Sequence, residues 1–389
     1  MYDIEMTRSF GLLKELCPGG QRATRSLRNF VGGLAAALFS NLLDASVVVA
    51  DQVTNDLGNP VMASQVTASN DSEPRVHLIF WIPAKYDVLA PGLLGNTRYE
   101  NVMKDFFDHF NYSDYSKILY QYAGPCLGIF APFGTDFGCS PGLVFNTDIW
   151  VDNTSSLPHM PLMDSDIRDE IKSRARNPAL NPKSAVWGTG LGHLYIVFLG
   201  MNAEICDSNG NCGGVQGLIC GYHNSFQPNG TSTNDNNMDT AIIYAVTAHR
   251  HWLSTNGGGC GLTESPAPEL SDVPMMDMFN YVPAKTPHQS LVGTVDADWQ
   301  TVTLSHEFFE ALTDPLGGTL TAWYDSNGND KLNGEIGDLC GHGMVGGGSN
   351  QKSDGSNAEL NGAAFLVQEI WNNPVPKHNL PGSCALTPQ

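Results

Sequence analysis

Basic residues are scarce in this chain of 389 residues. Twenty Lys and Arg stand against 40 Asp and Glu, for a net charge of −20. Phosphate backbones are held by clustered Lys and Arg, and no such cluster is present, so nucleic acid is excluded as a partner. Charged residues of either sign make up only 15% of the chain, while Gly alone accounts for 41 positions, a balance that suits an extracellular protein better than a cytosolic one. No two cysteines are spaced CxxC, which removes the usual structural zinc site. Neither a GxSxG elbow nor a phosphate-binding loop stands out. Internal repeats and coiled-coil heptads are missing too.

Long apolar runs are also lacking. Arg22, Arg25 and Arg28 precede Phe30–Phe39, FVGGLAAALF, and small residues follow through Ser46–Ala50. That is the order of a secretory signal: basic region, apolar region, small residues at −3 and −1, here Val48 and Ala50. Asn41 and Asp44 break the run, leaving it too short to span a bilayer. The reading is a leader over 1–50, a flexible polar lead-in over 51–74 and one domain over 75–389. Outside the leader, which holds Cys17, eight cysteines remain, an even number that suggests disulfides in an exported chain. About 105 pairings are open to eight cysteines. Short loops favour Cys126–Cys139 and Cys206–Cys212, leaving Cys220–Cys260 and Cys340–Cys384. Sequons at Asn70, Asn111, Asn153 and Asn229 make a glycoprotein in a eukaryotic host.

Apolar periodicity predicts strands at Val76–Ile82, Ile118–Tyr122, Thr147–Val151, His193–Gly200, Leu218–His223 and Ala241–Thr247. Helices are predicted from about Tyr99 to Phe110, over DIRDEIKSRA behind a cap at Asp164 or Ser165, and over roughly Asp298–Leu312. Asp314-Pro315 ends the last of these. After it, only Ala364–Trp371 reads as regular. The fold class is α+β: a zincin-like mixed sheet with packing helices, a helix carrying a metal motif, and a disulfide-stabilised, irregular C-terminal part.

The motif is SHEFFEALTDP at Ser305–Pro315, an HExxE pattern inside an apolar run. Helical residues i and i+4 share a face, so His306 and Glu310 can grip one cation with Glu307 beside them. Zinc hydrolases built on HExxH use this geometry, and Glu is an accepted zinc ligand. Glu307 is then the general base towards a water that the cation acidifies. A catalytic zinc needs a third protein ligand, and Leu316 occupies a position where some zincins place a His. Glu335 and Asp338 of EIGDLC are the leading candidates, Asp314 and His223 the lesser ones. The competing reading makes EIGD a turn whose acids cap amides and His223 a structural, hydrogen-bonded histidine. Such carboxylate-rich donors shift preference towards cations other than zinc. Calcium is a second possibility at Asp325, Asn327 and Asn329 in DSNGNDKLNGE, although Asp330 replaces the turn glycine and Ile336 the final acid of an EF-hand loop. DSNGN recurs at Asp207–Asn211, where a solvated turn is the stronger reading.

Five blocks carry a resemblance: CGYHN at Cys220–Asn224, SHEFFEALTDPL at Ser305–Leu316, AWYD at Ala322–Asp325, EIGDLC at Glu335–Cys340 and FLVQEIWNN at Phe365–Asn373. In order and spacing they resemble the phosphate-induced protein 1, or EXORDIUM-like, family of secreted proteins, known mainly through growth and stress phenotypes in plants. The resemblance covers most of 75–384 and implies an extracellular or cell-wall location. Two functions are consistent with all this: a secreted metal-dependent hydrolase, a zinc metallopeptidase acting on a peptide or cell-wall-associated substrate, or a non-catalytic signalling or structural protein on the same scaffold.

Overall fold

The computed structural model describes residues 75–86, 95–122, 146–176, 188–200, 203–213, 219–228, 240–248, 287–288, 294–316, 322–324, 334–340, 352, 355–372 and 383–388. The chain divides into two units, Met1–Val49 and Ala50–Gln389, and every described residue belongs to the second. The leader, the lead-in and the calcium loop at Asp325, Asn327 and Asn329 lie outside the described residues, as do Cys126, Cys139 and Cys260.

The elements, in chain order, are β1 (Arg75–Trp81), α1 (Gly95–Phe110), α2 (Asp114–Lys117), β2 (Asn146–Asp152), β3 (Leu162–Met163), α3 (Asp164–Arg176) and β4 (His193–Leu199). Then come β5 (Ile205–Cys206), β6 (Cys212–Gly213), β7 (Gly221–Phe226), β8 (Ile242–Thr247) and α4 (Thr294–Thr313). Short strands close the chain: β9 (Ala358–Leu360), β10 (Ala363–Phe365), β11 (Ile370–Asn372) and β12 (Ser383–Ala385).

Five strands form the main sheet in the order β2-β1-β4-β8-β7. β1 and β4, RVHLIFW and HLYIVFL, are buried along almost their whole length. Such continuous apolar strands belong in the interior of a parallel sheet covered on both faces. β1 accordingly pairs in parallel with β2 and β4, Leu78 lying opposite Ile149 and Ile196, and β4 pairs in parallel with β8. The outer strand β7 runs antiparallel to β8, with His223 opposite Ala245. The sheet is therefore mixed.

One face carries Val76, Leu78, Phe80, Leu194, Ile196, Phe198, Ile243 and Ala245, packed on α1 and α4. Phe308 of α4 meets Phe107 and Phe110 of α1 edge-to-face, each at a centroid distance of 5.1 Å. Turning that side of α4 inward leaves His306, Glu307 and Glu310 on the side towards β7. The opposite face, Ile79, Tyr195, Val197, Tyr244 and Val246, is covered by Ile167 and Ile171 of α3. Asp164 begins α3, but its carboxylate is taken by the Tyr222 and Tyr244 hydroxyls and by Arg168.

Three sequence expectations are corrected. Ile118–Tyr122 is a 3-10 helix, not a strand. Ser113 caps α2, accepting from the Ser116 amide at 3.1 Å, and Tyr115, Ile118, Leu119 and Tyr122 then bury one helical face. The strand expected at Leu218–His223 is displaced to Gly221–Phe226. The motif helix begins at Thr294, four residues before Asp298, whose buried carboxylate accepts the His288 amide at 2.9 Å. Past the helix the chain is more regular than expected. Asn361 and Gly362, both at positive φ, form the two-residue turn of the β9–β10 hairpin. β11 pairs antiparallel with β12. Disulfides Cys206–Cys212, favoured by its short loop, and Cys340–Cys384, left as a remainder, are both present. Among the described residues no helix is long and apolar enough to cross a membrane.

Candidate metal centre

Four chain segments converge on the α4 motif. The helix supplies His306, Glu307 and Glu310; β7 supplies His223; the segment 334–340 supplies Glu335 and Asp338; and the stretch before β11 supplies Gln368. His306 Nε2 lies 3.1 Å from Glu310 Oε2, 3.5 Å from Asp338 Oδ1 and 3.9 Å from Glu307 Oε1. His223 Nδ1 lies 3.6 Å from Glu310 Oε2 and 3.8 Å from Glu307 Oε2. On the other edge of the same ring, Nε2 lies 3.5 Å from Glu335 Oε1 and 3.2 Å from the Asp314 carbonyl oxygen. Two sets of three ligand atoms are each close enough to hold one ion: His306, Glu307 and Glu310; and His223, Glu310 and Glu335.

The supporting contacts orient the motif side chains. Gln368 donates from Nε2 to the Gly337 carbonyl at 2.7 Å, which turns its Oε1 towards His306 Nδ1 at 3.0 Å. His306 thus donates from Nδ1 and directs Nε2 at Glu310, as metal-binding histidines do when their second nitrogen is anchored. The Gln368 amide donates to Ser305 Oγ at 3.0 Å, and Tyr115 donates to its carbonyl at 2.6 Å, so this residue is held on both sides. Glu310 Oε1 accepts the Asp338 amide at 3.0 Å.

Two glycines let backbone approach the carboxylates. A Cβ on Gly221 would stand 2.7 Å from Glu307 Oε1 and 2.8 Å from the Val246 carbonyl oxygen. On Gly337 it would stand 2.6 Å from Glu310 Oε1 and 2.9 Å from His306 Nδ1.

Charge is concentrated here and almost hidden from water, with Glu307 4% and Glu310 2% exposed. Burial opposes a charge on His306, but Glu310, Glu307 and Asp338 overcome it and hold the imidazole proton well above its usual range. His223 behaves alike: burial is outweighed by Glu335, Glu307 and Glu310. Burial would raise Glu310, yet His306 and His223 bring it down to about 2. Burial raises Glu307, partly offset by His223. For Glu335 burial also dominates and sends the carboxyl well up, and burial together with Glu310 pushes Asp338 up to about 8. Buried carboxylates need compensation, which protons can supply and which a divalent cation on the same ligands would supply equally.

All four residues expected at the metal from sequence, His306, Glu310, Glu335 and Asp338, lie in this cluster, with Glu307 among them. Asp338 lies 3.5 Å from His306 and Glu335 3.5 Å from His223, so the two acids meet different histidines. His223, the lesser candidate, is as close to Glu310 as Asp338 is to His306. Asp314 stands behind: its Oδ1 accepts the Ala322 amide at 2.7 Å. Gln368 and the two glycines went unread, although they fall within three of the blocks that carry the family resemblance. The turn at Asp207 is a solvated one, its carboxylate accepting the Asn209 and Asn211 amides at 2.9 and 2.8 Å. Comparison of the chain with family models, with curated proteins and with solved structures finds no match.

Proposed function

We propose that the chain is a secreted, metal-dependent hydrolase: a zinc metallopeptidase of zincin-like architecture within the EXORDIUM-like group. The observation that carries the reading is the approach of His306 Nε2 to Glu310 Oε2 at 3.1 Å, with Glu307 buried beside both. Ligand nitrogens and oxygens bound to one zinc ion at about 2.0–2.2 Å are separated by about this distance. His306 and Glu310 would hold the ion, with Asp338 as the third protein ligand. A bound zinc ion supplies Lewis acidity and lowers the pKa of a water towards about 7. Glu307 would serve as the general base towards such a water and as the proton donor to the leaving group. Gln368 keeps His306 in the tautomer that leaves Nε2 for the ion. The mixed sheet, with its antiparallel outer strand beside the motif helix, supports the architecture. The disulfides support export.

Near-complete burial of Glu307 favours a second reading, in which the same scaffold is non-catalytic and acts at the cell surface. Glu307→Gln separates the two. In the hydrolase the variant keeps its zinc and loses a factor of about 10² to 10⁴ in turnover on a peptide library. Full activity in the Gln variant would rule out the role given to Glu307. Cleavage by neither form, at full zinc occupancy, would favour the non-catalytic reading.

A further inference from the structure

The cluster holds more donors than one ion uses. Four carboxylates, Glu307, Glu310, Glu335 and Asp338, surround two imidazoles, and Asp314 stands behind them. A catalytic ion with an open position takes three protein ligands, so several of these side chains stand outside the coordination sphere of a single ion.

The ligand atoms are divided as two ions would divide them. One set is His306, Glu307 and Glu310, and the other is His223, Glu310 and Glu335, with the atoms of each within 4.8 Å of one another. Glu310 belongs to both. Its Oε2 stands between the histidines, 3.1 Å from His306 Nε2 and 3.6 Å from His223 Nδ1. On the far edge of the His223 ring, Nε2 is 3.5 Å from Glu335 Oε1. The His223 and Glu310 side chains are 7% and 3% exposed, so the second set is built into the fold and is no surface accumulation of acids. Asp314 stands behind this set, its Oδ1 accepting the Ala322 amide at 2.7 Å.

We propose that the centre takes two divalent cations, the second held by His223, Glu310 and Glu335, with Glu310 bridging the pair. This extends the metal reading of the cluster and does not depend on hydrolysis. Glu310 then gives one carboxylate to two ions, and the segment 334–340 contributes one carboxylate on each side: Asp338 to the first and Glu335 to the second. Paired ions in carboxylate-bridged sites lie about 3.5–4 Å apart. One imidazole and mainly oxygen donors at each position suit Mn²⁺ as a probe.

The test is equilibrium dialysis of the full chain against Mn²⁺, with bound metal measured by elemental mass spectrometry and electron paramagnetic resonance. Two Mn²⁺ per chain and an exchange-coupled spectrum are expected. Glu335→Gln should keep one Mn²⁺ and show the resolved hyperfine pattern of an isolated ion, its far-UV circular dichroism unchanged. Saturation of the parent at one equivalent, or two coupled ions in Glu335→Gln, overturns the proposal. Should that variant fail to fold, the parent's stoichiometry and spectrum decide alone. One equivalent in an active parent removes the second ion and leaves the hydrolase reading standing. Two coupled ions without peptide cleavage removes the hydrolase reading and leaves this one.

Discussion

Gly337 carries no side chain because Glu310 and His306 occupy the space where one would stand. The nearest atoms to an added Cβ, Glu310 Oε1 at 2.6 Å and His306 Nδ1 at 2.9 Å, are each held by a hydrogen bond, to the Asp338 amide and to Gln368, and have little freedom to retreat. Gly337→Ala is therefore expected to displace the two motif ligands while the sheet remains intact. Disturbing the groups that orient a metal's ligands typically costs about 10–100-fold in affinity. Isothermal titration with zinc measures it, and unchanged affinity would contradict the tight fit. His223 shows a different limit at the same scale. A lone histidine between Tyr222 and Asn224 signals nothing by spacing, since its partners, Glu307, Glu310 and Glu335, all come from later elements of the chain. Only the pairing of Gly221–Phe226 with β8, beside α4, brings it to Glu310.

Among elements, the segment 334–340 depends most on long-range support. It has no regular secondary structure beyond a turn of 3-10 helix at Asp338–Cys340. Its ties include the Trp371 amide donated to the Ile336 carbonyl at 3.0 Å, the Asp338 amide donated to Glu310, Gln368 on Gly337, and the bond from Cys340 to Cys384. Removing the disulfide by Cys340→Ser with Cys384→Ser should cost about 2–4 kcal/mol, because it frees a loop 44 residues long in the unfolded chain. Urea denaturation reads the loss. Zinc affinity should fall with it, since Asp338 lies two residues from Cys340. Equal stability and equal affinity in the double variant would refute the idea of a strap. The misread element, Ile118–Tyr122, teaches a complementary lesson. Its apolar residues suit a strand by composition, but the Ser113 cap starts a helical turn and the buried side chains repeat at helical spacing.

At the scale of the whole molecule, two groups of histidines among the described residues are held with opposite consequences. At the metal cluster the histidines are held protonated. At the start of β1 and β4 they are held neutral. His77 Nε2 lies 3.0 Å from His193 Nδ1, and the Tyr195 ring stacks on His77. Burial, then His193 and Arg75, lower the His77 pKa well below its usual value. Burial, then Arg75, bring His193 down to about 4 against the pull of Asp148. The folded form therefore binds fewer protons here than the unfolded chain, whose histidines titrate near about 6.5. The stabilisation is fully present above about pH 6.5 and is lost as pH falls towards about 4. His193→Gln should flatten the fall in denaturation midpoint across that interval relative to the parent. Parallel curves would refute the assignment. The metal cluster leads to a second whole-molecule expectation. A cation binding only the folded state raises stability by about 2.7 kcal/mol at a hundred times its dissociation constant. Adding zinc after chelation should restore the melting temperature of the parent and not that of His306→Ala with Glu310→Ala; equal recovery in both would place the ion elsewhere.

Local pattern was enough for the interior strands and the motif helix. Continuous apolar runs such as VHLIFW and HLYIVFL have few other ways to be satisfied than inside a covered sheet, and the i, i+4 spacing of His306 and Glu310 is a property of any helix. Asp314-Pro315 marked the end of that helix for an equally local reason. The Asn361–Gly362 turn was also legible by residue type, yet went unread because its flanking strands are only three residues long. What local pattern does not contain is the meeting of distant segments. The direction of β7, the approach of His223 to Glu310, the division of Glu335 and Asp338 between two histidines, and the Gln368 anchor all arise from the packing of α4 against the sheet and from the tie between Cys340 and Cys384. Those contacts join residues tens to hundreds of positions apart, and their geometry is set by burial of the whole core, which no window of sequence specifies.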